Sequence, residues 1–325
     1  MNKLIVRFAT LVLLSTCIVL QAQDQPLPQT DLPWAYALNS PRAERPADDG
    51  LPKRVPGSQS EFVLSEIRNL YSPPDWHSDD HPVMPAIVAQ GRNPGVFACA
   101  YCHLPNGQGR PENASLTGLT AEYIIQQMAD YRAGLRSSSE PQMVPPAAML
   151  AIGLNATESE ARAAAEYFAR LTPRQWIRVI ETETVPETSV EGWMFVAVEQ
   201  GGSEPIGQRI IEMPEDLERT ELRDSRSGFI AYVPIGSVDK GRQLVSTGGD
   251  GKTPPCGVCH GDDLRGLGPV PALAGRSPSY LVRQLNDFQT GKRKGRWSPL
   301  MQEAVANLSN EDFVVIGAYL ASLDP

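Results

Sequence analysis

Cys99-Ala100-Tyr101-Cys102-His103 and Cys256-Gly257-Val258-Cys259-His260 are the two stretches on which the reading of the chain turns, and they stand 157 residues apart. On one turn of helix, cysteines three residues apart reach the edge of the same flat macrocycle, and the histidine that follows points a ring nitrogen at its centre. Thiols so placed add to the two vinyl groups of haem as thioethers, which makes CxxCH the signature of covalent haem attachment. The rival readings are a thiol redox couple and a zinc site. A thioredoxin-like couple belongs in a βαβ setting, which the flanking sequence does not offer, and zinc needs four ligands close together.

The shift of 157 aligns far more than the motif. Gly109 meets Gly266, Leu116 meets Leu273, Gly118 meets Gly275, Tyr123 meets Tyr280, Gln127 meets Gln284, Asp130 meets Asp287 and Arg136 meets Arg293. A shared register of this length is internal duplication. After Arg136 the first copy carries five extra residues and the shift becomes 152, so that Met149 meets Met301, Tyr167 meets Tyr319 and Leu171 meets Leu323. Each copy reads as CxxCH, a helix, a loop bearing methionine, and a final helix. Ser277-Pro278 reads as an N-cap with proline at the first helical position. Thr157 with Glu160 reads as a capping box, and Ser309 with Asp312 as its close relative.

The sixth position on a haem iron decides its chemistry. Methionine opposite histidine saturates the iron and raises its reduction potential, which suits electron transfer. Met149 and Met301 precede the final helix by the same interval and are the candidates. Met143 competes in the first copy, but Met149 alone keeps the register; the bland reading of both is a methionine filling a core gap.

The second copy resembles the class I cytochromes c of the cytochrome c4 type. The resemblance rests on Cys256 to His260, Pro271-Ala272-Leu273-Ala274-Gly275, Tyr280 with Gln284-Leu285, Gly291-Lys292-Arg293, Met301 and Leu308-Ser309. It implies Cys256 and Cys259 as thioether anchors, His260 and Met301 as axial ligands, and the carbonyl of Pro271 as the group that orients the His260 ring. In the first copy the same roles fall on Cys99, Cys102, His103 and Met149. Ala114 stands there at the place of the proline, which leaves the carbonyl contact of the first copy an open question. The expected cofactors are two haem c, and the expected fold is mainly α: two tandem class I cytochrome c domains, at 88–171 and 238–325.

Between and before them the chain departs from that family's layout. Residues 172–237 hold runs rich in β-branched and aromatic residues, at 176–185, 193–198, 207–213 and 229–233, broken by glycine and proline. They read as a small antiparallel insert. Residues 23–87 read as a polar, proline-rich tail, with Trp34 and Tyr36 pinning its start, followed by one short helix around Phe62 to Leu70. Such additions argue against the close, near-twofold packing of the family. Met1 to Ala22 has the layout of a secretory signal, with Lys3 and Arg7 ahead of an apolar run. The mature chain is therefore expected in the periplasm without a transmembrane segment. An uncleaved anchor and lipidation at Cys17 are weaker readings.

Acidic residues outnumber basic ones, 38 to 29, which speaks against nucleic acid as a partner. Glu212, Glu215, Asp216, Glu218 and Glu221 form an acidic run, read as solvated surface over a docking face for a basic partner. Lys292, Arg293, Lys294 and Arg296 form a basic cluster, either beside haem propionates or facing a partner. His77 and His81 sit among prolines in a stretch read as surface loop, rather than as a metal pair or an alternative haem ligand. The function expected is periplasmic electron transfer between redox partner proteins, by a carrier rather than an enzyme. The alternatives are a dihaem cytochrome c peroxidase, which needs one iron with a displaceable ligand, and the cytochrome subunit of a periplasmic dehydrogenase.

Overall fold

A computed structural model describes residues 32–39 and 47–325 of the chain. The expected signal at 1–22, Cys17 and much of the proline-rich tail lie outside the described residues. The chain runs through two short helices, α1 (Leu64–Ile67) and α2 (Ala86–Ala89), into the first motif, the single turn α3 (Cys99–His103). Helices α4 (Ala121–Arg132), α5 (Val144–Asn155) and α6 (Glu158–Ala169) complete the first copy. Strands β1 (Ile177–Glu181), β2 (Thr184–Pro186), β3 (Thr188–Glu191), β4 (Met194–Ala197), β5 (Ser203–Pro205) and β6 (Ile211–Pro214) follow, then α7 (Leu217–Glu221) and β7 (Phe229–Val233). The second copy is α8 (Ser237–Thr247), α9 (Gly257–His260), α10 (Pro278–Gln289), α11 (Ser298–Val305) and α12 (Asn310–Ser322). No helix among the described residues is long and apolar enough to cross a membrane.

The repeat is written in the caps. Helices α4 and α10 start at equivalent places, and the side chains of Thr120 and Ser277 accept from the backbone N–H groups of Tyr123 and Tyr280. These bonds satisfy donors that a helix start leaves open. Capping boxes at Thr157/Glu160 and Ser309/Asp312 start α6 and α12 in the same way. The methionine segments differ from expectation: both are helical, as α5 and α11, because Pro145 and Pro299 sit in their first turns, where a missing N–H costs nothing.

The two copies pack on each other with near-twofold reciprocity, against the expectation that the insert would keep them apart. Ser137 N–H donates to the Lys292 carbonyl at 2.9 Å, and its counterpart Lys294 N–H donates to the Leu135 carbonyl at 2.7 Å. Between them Arg136 pairs with its own repeat equivalent, Arg293. Arg136 donates to Gln127, Tyr280 and Gln284, and Arg293 donates to Gln284, Tyr123 and Gln127. Gly295 is required there, since a Cβ would lie 2.0 Å from an Asp130 carboxylate oxygen. Arg293 is thus a buried interface residue and no part of a solvent-facing cluster.

The insert is a mixed sheet rather than an antiparallel one. β1 leaves the first copy and β7 enters the second in the same direction, and they pair in parallel, Ile177 opposite Phe229, with β6 antiparallel on the other side of β7. Two small hairpins, β3 with β4 and β2 with β5, fill the excursion between. Ile177, Phe229, Ala231 and Val233 join one core with Leu281, Val282, Phe313 and Ile316 of the second copy. The first copy keeps a smaller core of its own around Val88, Ile124, Ala165 and Phe168. The start of the described chain is pinned on α10, where the Ala35 carbonyl and the Tyr36 hydroxyl accept from Arg283 and Asn286.

Two expected surface features are buried. Glu212 accepts from the hydroxyls of Ser277 and Ser279 at the start of α10, and burial pushes its carboxyl above the usual range. His77 pairs with Asp224 at 2.9 Å, inside a joint between residues 76–81 and 222–226. Two other carboxylates work the opposite way. The hydrogen bond from Arg92 holds Glu160 down from 4.5 to about 2, and that from Arg226 holds Asp80 down from 3.8 to about 2. A depressed carboxylate contributes stability that is complete above its ordinary pKa and lost as pH falls through its folded value. The melting temperature is therefore expected to fall between about pH 4.5 and pH 2. The gap between the native chain and Arg92→Ala is expected to close over that window, and a gap that stays constant would refute the assignment.

Candidate haem centres

Both CxxCH motifs form the same turn, and both histidines are fixed in the same way. His103 Nδ1 hydrogen-bonds the carbonyl of Ala114 at 2.8 Å, and His260 Nδ1 bonds the carbonyl of Pro271 at 2.8 Å. The first contact, left open by the missing proline, is made all the same, because a backbone carbonyl needs no particular side chain behind it. The loop is shaped by a glycine in each copy. Gly109 and Gly266 have φ of 69° and 94°, their N–H groups donate to the carbonyls of His103 and His260, and a Cβ on either would strike the carbonyl of Ala114 or Val270 within 2.8 Å.

With Nδ1 committed to a carbonyl, Nε2 is left to bind. Burial holds both imidazoles below their usual range and hence neutral, the form that ligates metal. Burial also pushes the thiols up, Cys99 to about 12 and Cys256 to about 11. A thiol redox couple needs the reverse, a depressed pKa in an electropositive setting.

Beside the first motif lies a cavity of about 380 Å³, a size typical of cofactor pockets. Its wall carries Cys99, Cys102, His103 and Met149 among apolar side chains that include Ile124, Met128, Ile152 and Phe168. Its chemistry fits a flat apolar macrocycle with a central metal and charged edges: one imidazole, two thiols and two thioethers, Met128 and Met149, in a mostly apolar slot whose rim includes Arg110, Arg136 and Arg223. Met143 is turned away, buried in the core shared with the second copy. In the second copy His260 is buried and Met301 packs half-buried against that core, on the helix equivalent to the one bearing Met149.

No protein-family model matches the chain. Cytochrome c-554(548) of Halomonas halodenitrificans is 40% identical over 75 residues, 23% of this chain and 90% of that protein. The thiosulfate dehydrogenase electron acceptor of Stutzerimonas stutzeri (strain A1501) is 27% identical over 236 residues, 72% of this chain and 82% of that protein. Among solved structures, the thiosulfate dehydrogenase TsdBA of Marichromatium purpuratum matches with a TM-score of 0.48 at 26% identity, over 72% of this chain and 38% of that one. With the match to nearly the whole of cytochrome c-554(548) falling on a chain that holds two such motifs, the chain belongs to the class I c-type cytochromes, as a dihaem electron-transfer member carrying two haem c.

Proposed function

We propose that Cys99 with Cys102 and Cys256 with Cys259 are the thioether anchors, and that His103 with Met149 and His260 with Met301 are the axial ligand pairs. On this reading the chain divides into haem domains at 88–171 and 238–325 around the 172–237 insert, and it works in the periplasm. The observation that carries it is the identical setting of the two histidines, each with Nδ1 at 2.8 Å from a backbone carbonyl eleven residues on. When bound, haem iron takes up and gives up single electrons. The chain's residues would hold it between imidazole and thioether, exclude water with a mostly apolar wall, and set its charge environment. Arg136, a buried cation on the cavity wall, would offset the haem carboxylates. A saturated iron leaves no place for peroxide, which favours a carrier over a peroxidase. The relatives named as electron acceptors of a dehydrogenase support a partner that oxidises a substrate and passes the electrons on.

The visible spectrum of the oxidised protein tests the ligands. Met149→Ala is expected to remove half of the weak long-wavelength sulfur-to-iron band, Met301→Ala the other half, and Met143→Ala none of it. A band that survives Met149→Ala, or one that Met143→Ala abolishes, would overturn the assignment.

A further inference from the structure

We propose that the insert insulates the first haem, so that electrons enter and leave the chain through the second copy. The inference rests on the two-haem reading above. Its basis is a break in the repeat at the edge where the second cysteine of each motif lies. Tyr101, just ahead of Cys102, is 8% exposed, whereas its repeat equivalent Val258, just ahead of Cys259, is 69% exposed. Cys259 is itself exposed and Cys102 is not.

The difference is made by the insert. The Arg223 guanidinium lies 3.5 Å over the Tyr101 ring and donates to the Tyr101 carbonyl. Arg223 is half-buried, and together with Gly192 and Trp193 it forms part of the wall of the first cavity. The loop after His103 is tied to the insert residue by residue. Asn106 donates to the Ser225 carbonyl at 2.6 Å, Trp176 to the Gly109 carbonyl at 3.0 Å, and Arg110 to the Gly192 carbonyl at 3.2 Å. The equivalent of Arg110 is Leu267, which stands 60% exposed with no insert over it. Electron exchange between proteins needs the haem edge near the surface, because tunnelling falls steeply with distance. The covered edge is closed by a stacked, hydrogen-bonded plug, and the open edge is bare.

The first cavity is closed by residues of the second copy on another side, where Tyr280, Gln284 and Asp287 belong to its wall. The first haem therefore faces the second copy across Arg136 and its partners, and the second faces solvent. The two would work in series: a partner meets the second, and the first fills or drains behind it.

Stopped-flow oxidation of the fully reduced chain by ferricyanide tests this. Two electrons leave per chain, one from each ferrous iron to each of two ferricyanide ions, which become ferrocyanide. Val258→Glu puts an anion at the open edge, against a trianionic oxidant, and is expected to slow the reaction about five-fold at moderate salt. If the haems work in series, the whole two-electron amplitude slows. If half of it keeps the native rate, the first haem has its own port and the proposal fails. Adding Arg223→Ala to Val258→Glu removes the plug, and half or more of the amplitude is expected to return to the native rate, the second haem's share following as far as it drains through the first. An amplitude that stays wholly slow would overturn the role given to Arg223. An amplitude of one electron per chain would instead overturn the two-haem reading, and this inference with it.

Discussion

A chain with both Cys99 and Cys102 replaced by alanine is expected to carry one covalent haem in place of two, and to lose the ordered structure of its first copy while the second stays folded. The reason is the shape of the first core. Four of its twelve buried side chains are alanines, Ala100, Ala156, Ala164 and Ala165, and α4, α5 and α6 line a pocket of about 380 Å³ instead of filling it. Without haem the apolar wall of that pocket stands open to water, at about 1.5–3 kcal/mol for each large apolar side chain so exposed. A few such side chains are comparable with the whole stability of an ordinary domain, about 5–15 kcal/mol. Haem is thus as much core as cofactor here. The second copy has support that the first lacks, because its core runs on into β1 and β7 and includes Phe229, Phe288 and Phe313. Haem absorbance per chain after acid–acetone extraction, with hydrogen exchange followed by mass spectrometry, checks both halves. Residues 99–169 should exchange as an open chain and residues 237–322 should stay protected. Two retained haems, or a first copy still protected without one, would contradict the claim.

What was readable in the sequence, and what was not, divides by distance along the chain. The caps at Thr157, Ser277 and Ser309 sit within three residues of the donors they satisfy, and such local chemistry is written where it acts. The haem motifs are local too, and the repeat register extended their reach to Met149 and Met301. Apart from the helices α5 and α11 and the Ala114 carbonyl contact, which are local, the features that differ from expectation depend on partners far away. His77 is a loop residue until Asp224, 147 positions on, closes over it. Glu212 looks like one of five surface acids until Ser277 and Ser279 converge on it. Runs of β-branched and aromatic residues mark β1 and β7 as strands but say nothing of which way they pair, so their parallel alignment is a tertiary fact. Arg293 shows the same limit: its neighbours in sequence suggest a charged surface, and its neighbours in space are the first copy's glutamine and tyrosine. The insulating contact of Arg223 on Tyr101 spans 122 positions and has no counterpart in the second copy from which to infer it.

The reciprocal arginines give the second large effect. Arg136→Ala and Arg293→Ala are each expected to cost about 2 kcal/mol of stability, the scale of a hydrogen bond made by a charged group. The double variant is expected to cost about 1 kcal/mol or more beyond the sum. The sign follows from how the acceptors are shared. The Gln127 carboxamide oxygen takes one bond from each arginine, both at 2.8 Å. The Gln284 oxygen takes one from Arg136 at 2.9 Å and one from Arg293 at 3.3 Å. Removing either arginine leaves each oxygen one donor, while removing both leaves two half-buried acceptors with neither of these donors, so the second deletion costs more than the first. Most networks lose their second member cheaply because the first loss has already broken them; a pair that backs itself up across a twofold behaves the other way round. Denaturant midpoints of the native chain, the two single variants and the double variant, followed by haem absorbance, measure the coupling. Strict additivity, or a double variant milder than the sum, would show that the two bonds to each glutamine do not substitute for one another. The interface would then be held by the backbone bonds between 135–137 and 292–294 rather than by its arginines.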